Sequence, residues 1–475
     1  MVLSQTSYPP WVTVLLFLTM GLVHLSWFLN GQKLYAYRVR SIFLFFVLTR
    51  FLSYFGEPLF EDDYYRYLWD GIVGSNLGNA LVISPDEVLL DTNLTPDQPS
   101  RQEGVTWRRE LLSDEDRDEL LLKINYPESP SIYGPVAQLA LSVQSFPMKV
   151  LGFVSSGTGP DLNIRILWLR TFLILIEAVV IWMFFLWTKH QSSGRWMTLC
   201  LASCPLLMKE VSNSLHLDIL PVALVLASVL VQDKYQKLSS ILLALAAGVK
   251  FYAIALLPIF LIRSRQPLKS SLLFILTLLT IYLPFLVSGG LEIFSGTRYF
   301  SHQWSMNDGV TAIIREVLYH TISDSSQSFN LPPIGEIEVS FIQSFSRRSG
   351  LLLFTLSFIW LLNRFYRPLK QGASLAFPYS FSLILIVLCS PVQNPWYLLW
   401  GLPFFIRSSH MAPMLLVSLS PLYLFNFVWS PTSHLFHEPF QWWVILPQTL
   451  VIWFFISEAA QGKALKTDNV SLRPQ

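Results

Sequence analysis

Apolar runs recur along nearly the whole chain, at 11–29, 41–59, 165–187, 196–212, 217–232, 238–249, 251–263, 270–288, 349–363, 374–390, 396–406, 411–428 and 441–458. A helix needs about 20 apolar residues to cross about 30 Å of hydrocarbon. The pattern therefore predicts an all-α integral membrane protein, a polytopic bundle of about 13 transmembrane helices with external juxtamembrane helices and loops. Several runs are too short to cross alone. The pairs 238–249/251–263 and 374–390/396–406 read as helices that stop partway against a polar cavity, which is tolerated only where protein or water satisfies the backbone.

Between the runs, the polar stretches divide the chain. N-terminal transmembrane helices occupy 1–60, and a first external loop with an acidic motif and juxtamembrane helices occupies 61–163. Further transmembrane helices fill 164–288, a second external loop 289–348, C-terminal transmembrane helices 349–458 and a cytoplasmic tail 459–475. The sides come from basic residues: Lys33, Arg38, Arg40, Lys189, Arg195, Lys234, Lys237, Arg263, Arg265, Lys269, Arg364, Arg367, Lys370, Arg407, Lys463, Lys466 and Arg473 fall at alternate run ends. Placing all of them in the cytoplasm puts the N-terminus outside. The alternation requires that 135–153 not cross, so that stretch is expected to lie along the outer interface as an amphipathic helix. Residues 1–10 hold no Lys or Arg, so the first run reads as an anchor that stays, with no cleaved leader.

Composition agrees with the pattern. The 475 residues are 52% hydrophobic and 13% charged, against roughly 25% charged in a soluble domain. The net charge of +2 gives no reason to expect nucleic acid. Cys200, Cys204 and Cys389 all sit inside apolar segments and form no ligand or disulfide framework. Residues 86–128 hold twelve Asp/Glu against five Lys/Arg, which suits a solvated external insertion.

Five polar clusters interrupt the apolar sequence, and the basic alternation places all of them on the outer face. The sharpest is "FEDDYYRYLWDG", Phe60 to Gly71. Adjacent Glu61, Asp62 and Asp63 at a bilayer edge are costly unless hydrated, paired or used. If the segment is helical, Asp63, Arg66 or Tyr67, and Asp70 share one face, and Asp62 stands four residues before Arg66 as if to pair with it. The second cluster, "KEVSNSLHLDIL", holds Lys209, Glu210, His216 and Asp218, with Asn213 or Ser214 placed to cap the next helix. Lys250 lies between two half-length runs, a cation in want of an anion. "QWSMNDG" carries Asn307. "CSPVQNPWYLLWGLPF" carries Asn394, Tyr397 and Trp400 beside Pro391 and Pro395 at a helix break. His434 and His437 are two further ligand candidates, too isolated to define a metal site.

"EDDYYRYLWDG", followed by "YPESPSIYGPVAQ" from Tyr126 to Gln138, resembles the bacterial, mannosyltransferase-like branch of the GT-C superfamily, membrane glycosyltransferases that use polyprenyl-phosphate sugars. "LHLD", "GVK" and "NPWYLLWGLPF" stand where the family shows comparable elements, so the resemblance runs from about 45 to 405. Gly134 stands where Pro is common in the family, and Ser214-Leu215 replaces the usual glycine before His216.

The resemblance implies an inverting transfer of a hexose, mannose among them, to a lipid, glycan or protein hydroxyl on the external face of the bacterial plasma (inner) membrane. Asp63 or Asp62 would be the base and Arg66 would orient it. Lys250, then Lys209, would meet the phosphate, while Glu61, Asp70, Tyr133, His216, Asp218, Asn307, Asn394 and Tyr397 would bind substrate. The implied partners are the polyprenyl-phosphate-sugar donor, a lipid or glycan acceptor and the bilayer, with no nucleic acid. No cofactor is required, although a divalent cation near the carboxylates is compatible with the sequence. A secondary transporter or lipid flippase is the competing class, since broken helices and buried charges also mark those proteins. A non-catalytic assembly subunit fits the acidic motif least.

Overall fold

The computed structural model describes residues 10–30, 39–87, 120–154, 162–328, 336–425 and 442–460. Helices α1 (Pro10–Asn30) and α2 (Val39–Tyr54) open the chain, followed by α3 (Asp63–Ser75), α4 (Pro135–Val154), α5 (Leu162–Thr188) and α6 (Gly194–Ala202). A π-helical turn, Met208–Asn213, leads into α7 (Ile219–Val231) and α8 (Gln236–Val249). A 3₁₀ turn, Phe251–Leu256, leads into α9 (Leu257–Arg263), then α10 (Pro267–Gly289), α11 (Ser295–Gln303), α12 (Val310–Ser328), α13 (Glu336–Lys370) and α14 (Ala376–Cys389). After further 3₁₀ turns at Gly290–Phe294 and Pro395–Trp400 come α15 (Leu402–Ser408) and α16 (Met411–Leu419), a 3₁₀ turn Ser420–Leu424, and α17 (Trp442–Ala460). Among the described residues the only β-type pairing outside helices is an isolated bridge, Met306 to Val392.

Four helical stretches are long and apolar enough to cross a membrane: Trp11–Asn30, Leu162–Thr188, Pro267–His302 and Phe341–Lys370. Their outer faces are greasy. On α10, Leu272, Ile275, Leu276, Leu279 and Leu283 are all exposed, a stripe that water would not tolerate and lipid would. The remaining apolar runs form shorter helices of 10–17 residues, such as Ile219–Val231 and Ala376–Cys389. The run expected at 196–212 is not one helix. It breaks at Pro205, whose ring removes a backbone donor, and resumes as the π turn. The run at 41–59 likewise leaves the helix after Tyr54, before Gly56 and Pro58.

At the two half-length pairs the chain stops partway. Lys250 is extended between α8 and the first 3₁₀ turn, and Ser390 is extended where α14 ends. The bundle assembles around these breaks. Helix α3 packs on α4, α7 on α5 and α8, α8 on α10, α1 on α16, and α13 on α12 and α14. Residues 135–153 form a single helix, α4, laid against α3.

Candidate active site

The acidic triplet stands at the start of α3, and its members have different surroundings. Glu61 is buried and accepts a hydrogen bond from the Tyr423 hydroxyl at 2.5 Å. Asp62 accepts from the Asn125 amide. Asp63 accepts no hydrogen bond from any described residue, yet 27% of its side chain is exposed. Burial, then the charges of Glu61 and Asp62, push the Asp63 carboxyl up to about 7. Burial raises Asp62 to about 6. It also carries Glu61 up to about 7 against the pull of Lys209.

Arg66 departs from expectation. Its guanidinium donates to the backbone carbonyls of Asn125, Tyr126 and Ser129 at 2.8–3.0 Å and makes no ion pair with Asp62. It braces a bend in which Tyr126 holds φ +53°, a conformation side chains rarely adopt. Asp70 departs too. It is fully buried, taking a hydrogen bond from the Ser131 hydroxyl at 2.5 Å and another from the Gln138 amide at 2.9 Å. Both residues shape the 125–133 segment. That segment delivers Tyr133, whose hydroxyl meets Tyr67 at 3.2 Å. Gly134 follows because a Cβ there would lie 2.3 Å from the Gly248 carbonyl oxygen. The departure from the family pattern thus lets the loop close against α8.

The π turn supplies the next cluster. The Lys209 ammonium lies 2.9 Å from the Tyr423 hydroxyl, 3.2 Å from Glu210 and 3.4 Å from Glu61. Asn213, the last residue of the turn, does not cap α7. Its side chain donates to the Glu57 carbonyl at 2.7 Å and accepts from the Leu59 amide at 2.9 Å. It thereby clamps the strand of backbone that presents the acidic triplet. From within the bundle the turn is held by Glu177, which accepts from Ser212 at 2.9 Å and pairs with buried Arg50. Sequence reasoning missed Arg50, Glu177 and Tyr423 because each sits inside an apolar run with no local polar signal.

Leu215, at φ +64°, then turns the chain sharply where the resemblance expects glycine. Strain at a non-glycine residue persists only where the surroundings over-determine it. The bend presents His216, fully buried and stacked on Trp396 with ring centroids 3.9 Å apart. The imidazole Nε2 lies 3.3 Å from Glu210, and Nδ1 lies 3.9 Å from Asp63. Asp218 follows at the N-terminus of α7. It holds Lys250 through both carboxylate oxygens, at 2.7 and 2.9 Å, and accepts from the Trp400 indole at 2.5 Å. The Lys250 ammonium sits 5.0–5.6 Å from the ring centroids of Tyr133, Tyr397 and Trp400, within cation–π range.

The breaks around Met306 and Pro391 meet each other through paired backbone. Met306 donates to the Pro391 carbonyl at 3.0 Å and Gln393 to the Met306 carbonyl at 2.9 Å. Asn307, itself at φ +55°, then reaches Asn394 at 3.4 Å. A narrow hollow lies behind Lys209 and Glu210, lined also by Phe17, His24, Leu206 and Leu424. A second lies on the far side of Tyr423, bounded by Asn394, Leu416 and Gln448. His434 and His437 lie outside the described residues.

Glu61, Glu210 and His216 each bring a ligand atom within 4.8 Å of the others, close enough to hold a metal ion. Lys209 already stands beside both carboxylates. Their charge is met by an ammonium, and a divalent ion would have to displace or repel it.

Carboxylates, an imidazole and two lysines therefore converge from three separated stretches of chain, 61–63, 209–218 and Lys250, beside helix breaks. Residues 147–391 match the profile of glycosyltransferase family 87. The chain belongs to that family. It is a membrane glycosyltransferase, of the GT-C type that the residues resemble, and the transporter and assembly-subunit readings give way to it. The family 87 match takes in Lys209, Glu210, His216, Asp218, Lys250 and Asn307; the acidic triplet, Asn394, Tyr397 and Tyr423 lie outside it. No curated protein matches the chain.

Proposed function

We propose that this transferase moves a hexose, such as mannose, from a polyprenyl-phosphate donor to a hydroxyl of a lipid, glycan or protein acceptor, with inversion, on the external face of a bacterial plasma membrane. The observation that carries the reading is Asp63. Asp62 and Asp63 both keep an exposed edge, but of the three adjacent carboxylates Asp63 alone has no hydrogen-bond donor among the described residues. A general base needs that free lone pair within reach of the hydroxyl it deprotonates. The basic alternation supports an outer position for the site, where nucleotide sugars are absent and an activated sugar arrives on a lipid.

Lys250 suits the departing phosphate. An ammonium has three donors, Asp218 takes two of them, and 16% of the Lys250 side chain is exposed. A site of this kind lowers its barrier most by stabilising the charge that develops on the leaving group. Asp218, His216, Tyr133, Tyr397, Asn307 and Asn394 line the pocket in this reading. In this reading Lys250 supplies the cation for the leaving phosphate, so no cofactor is required, and a divalent cation near the carboxylates is compatible with the site.

Asp63→Asn is nearly isosteric and removes only the ionisable oxygen. Transfer of radiolabelled mannose from polyprenyl-phosphate mannose into membrane lipid extract should fall about 10²–10⁴-fold, with yield retained and Tm no lower than the wild type's. Full transfer by Asp63→Asn would place the base elsewhere.

A further inference from the structure

Beside the acidic triplet stands a pair of aromatic rings that the chemistry described so far does not use. Tyr126 is 40% exposed, and its ring centroid lies 4.5 Å from that of Trp304. Phe300 backs Trp304 at 4.7 Å. The pair is close to Asp63, because the Asn125 amide donates to Asp62. Two peptide steps of about 3.8 Å and one hydrogen bond therefore separate Tyr126 from Asp63.

Both rings are braced from behind. Arg66 binds the carbonyls of Asn125, Tyr126 and Ser129 and so holds Tyr126 at its φ of +53°. Arg347 binds those of Ser301, His302 and Trp304. Gly296 lets the two braced segments touch, since a Cβ there would lie 2.5 Å from the Pro130 carbonyl oxygen and 2.8 Å from that of Ser131. Tyr299 then donates to Glu128 at 3.0 Å. A ring that only anchors a membrane edge needs no such aim; backbone strain is kept where a side chain must point one way.

We infer that Tyr126 and Trp304 form a stacking platform for a sugar ring of the acceptor, which brings one of its hydroxyls to Asp63. The inference rests on Asp63 being the base, and it narrows the acceptor to a glycoside. A pyranose presents a face of C–H bonds that suits the negative face of an aromatic ring. Its rim hydroxyls need acceptors. Glu128 is exposed and Asp62 partly so, and each keeps lone pairs beyond its bond to Tyr299 or Asn125. A hydroxyl on an acyl chain or a serine has no ring to stack. The donor has its own wall: its phosphate is assigned to Lys250, among Tyr133, Tyr397 and Trp400. In an inverting transfer the acceptor oxygen attacks from the side opposite the departing phosphate, so the rings beside Asp62 and Asn125 belong to the acceptor.

The test uses the full-length protein in nanodiscs, with methyl mannoside, glucoside and galactoside as probes read by saturation-transfer NMR. At least one should take up saturation, strongest on the C–H protons of one ring face. Tyr126→Gly removes the ring and suits the positive φ; it and Trp304→Ala should each abolish most of the saturation, while Tyr126→Phe retains it. Asp63→Asn should also retain it, because stacking needs no base. With radiolabelled polyprenyl-phosphate mannose as donor, Tyr126→Gly should raise the KM of the bound glycoside about two- to tenfold and leave the donor KM unchanged. A lower KM for the octyl than for the methyl glycoside would mark the head of a glycolipid, and equal values a free glycan. Saturation of none of the glycosides, or saturation that survives both Tyr126→Gly and Trp304→Ala, would overturn the platform. So would a diacylglycerol or a serine peptide accepted in preference to every glycoside. Normal turnover in Asp63→Asn would move the base instead, and the saturation experiment would still decide the platform.

Discussion

Two lysines stand within one site, and the structure treats them differently. Lys250 faces a single carboxylate, Asp218, and is walled by Tyr133, Tyr397 and Trp400. Lys209 is shared between Glu61 and Glu210, with Tyr423 bound to it and to Glu61. The Lys250 group is balanced, one charge against one, and remains partly exposed. The Lys209 group has an excess of carboxylate, and only 5% of the lysine side chain is exposed. The difference assigns them separate work. Lys209 makes a cluster of buried acids tolerable, whereas Lys250 keeps a donor for something that arrives.

The largest effect that would break this comparison is on stability. Lys209→Met should strand Glu61 and Glu210 without their cation, costing about 3–5 kcal/mol, seen as lost yield and a lower Tm. Lys250→Met should cost less, because Asp218 keeps the Trp400 indole and the N-terminus of α7. Its signature should be a raised KM for the polyprenyl-phosphate donor with nearly normal folding. If Lys250→Met is the unstable variant and Lys209→Met is stable but slow, the two roles are exchanged.

The smallest effect sharpens the picture through pH. A base must be ionised, and Asp63 titrates at about 7, so transfer should drop about tenfold for each pH step below that value. Stability should run the other way. Glu61, Asp62 and Asp63 all titrate higher in the fold than as free side chains. Their stabilising contribution is complete below about pH 4 and is lost as pH rises through about 6–7. The Tm in nanodiscs should therefore fall between pH 5 and 8 while activity climbs. In Asp63→Asn that fall should shrink. A Tm that rises with pH in the wild type would contradict the buried setting of the triplet.

What the sequence determined by itself was everything governed by local period and by breakers. Apolar runs became helices, the chain stopped at Lys250 and again after Cys389, and "EDDYYRYLWDG" became the start of a helix with Asp63 in its first turn. Hydrophobic periodicity and proline act over a few residues, so these features need no distant partner. What only the tertiary structure decided was which charge meets which. Tyr423 reaches Glu61 across 362 positions, and Lys250 reaches Asp218 across 32. Arg66, four residues from Asp62, spends itself instead on carbonyls about 60 positions away. Glu177 looks like one stray acid in an apolar helix until Arg50 and Ser212 are brought beside it. A buried charge must find a partner, because desolvation costs more than any propensity of the local chain, and which partner it finds depends on how distant helices pack.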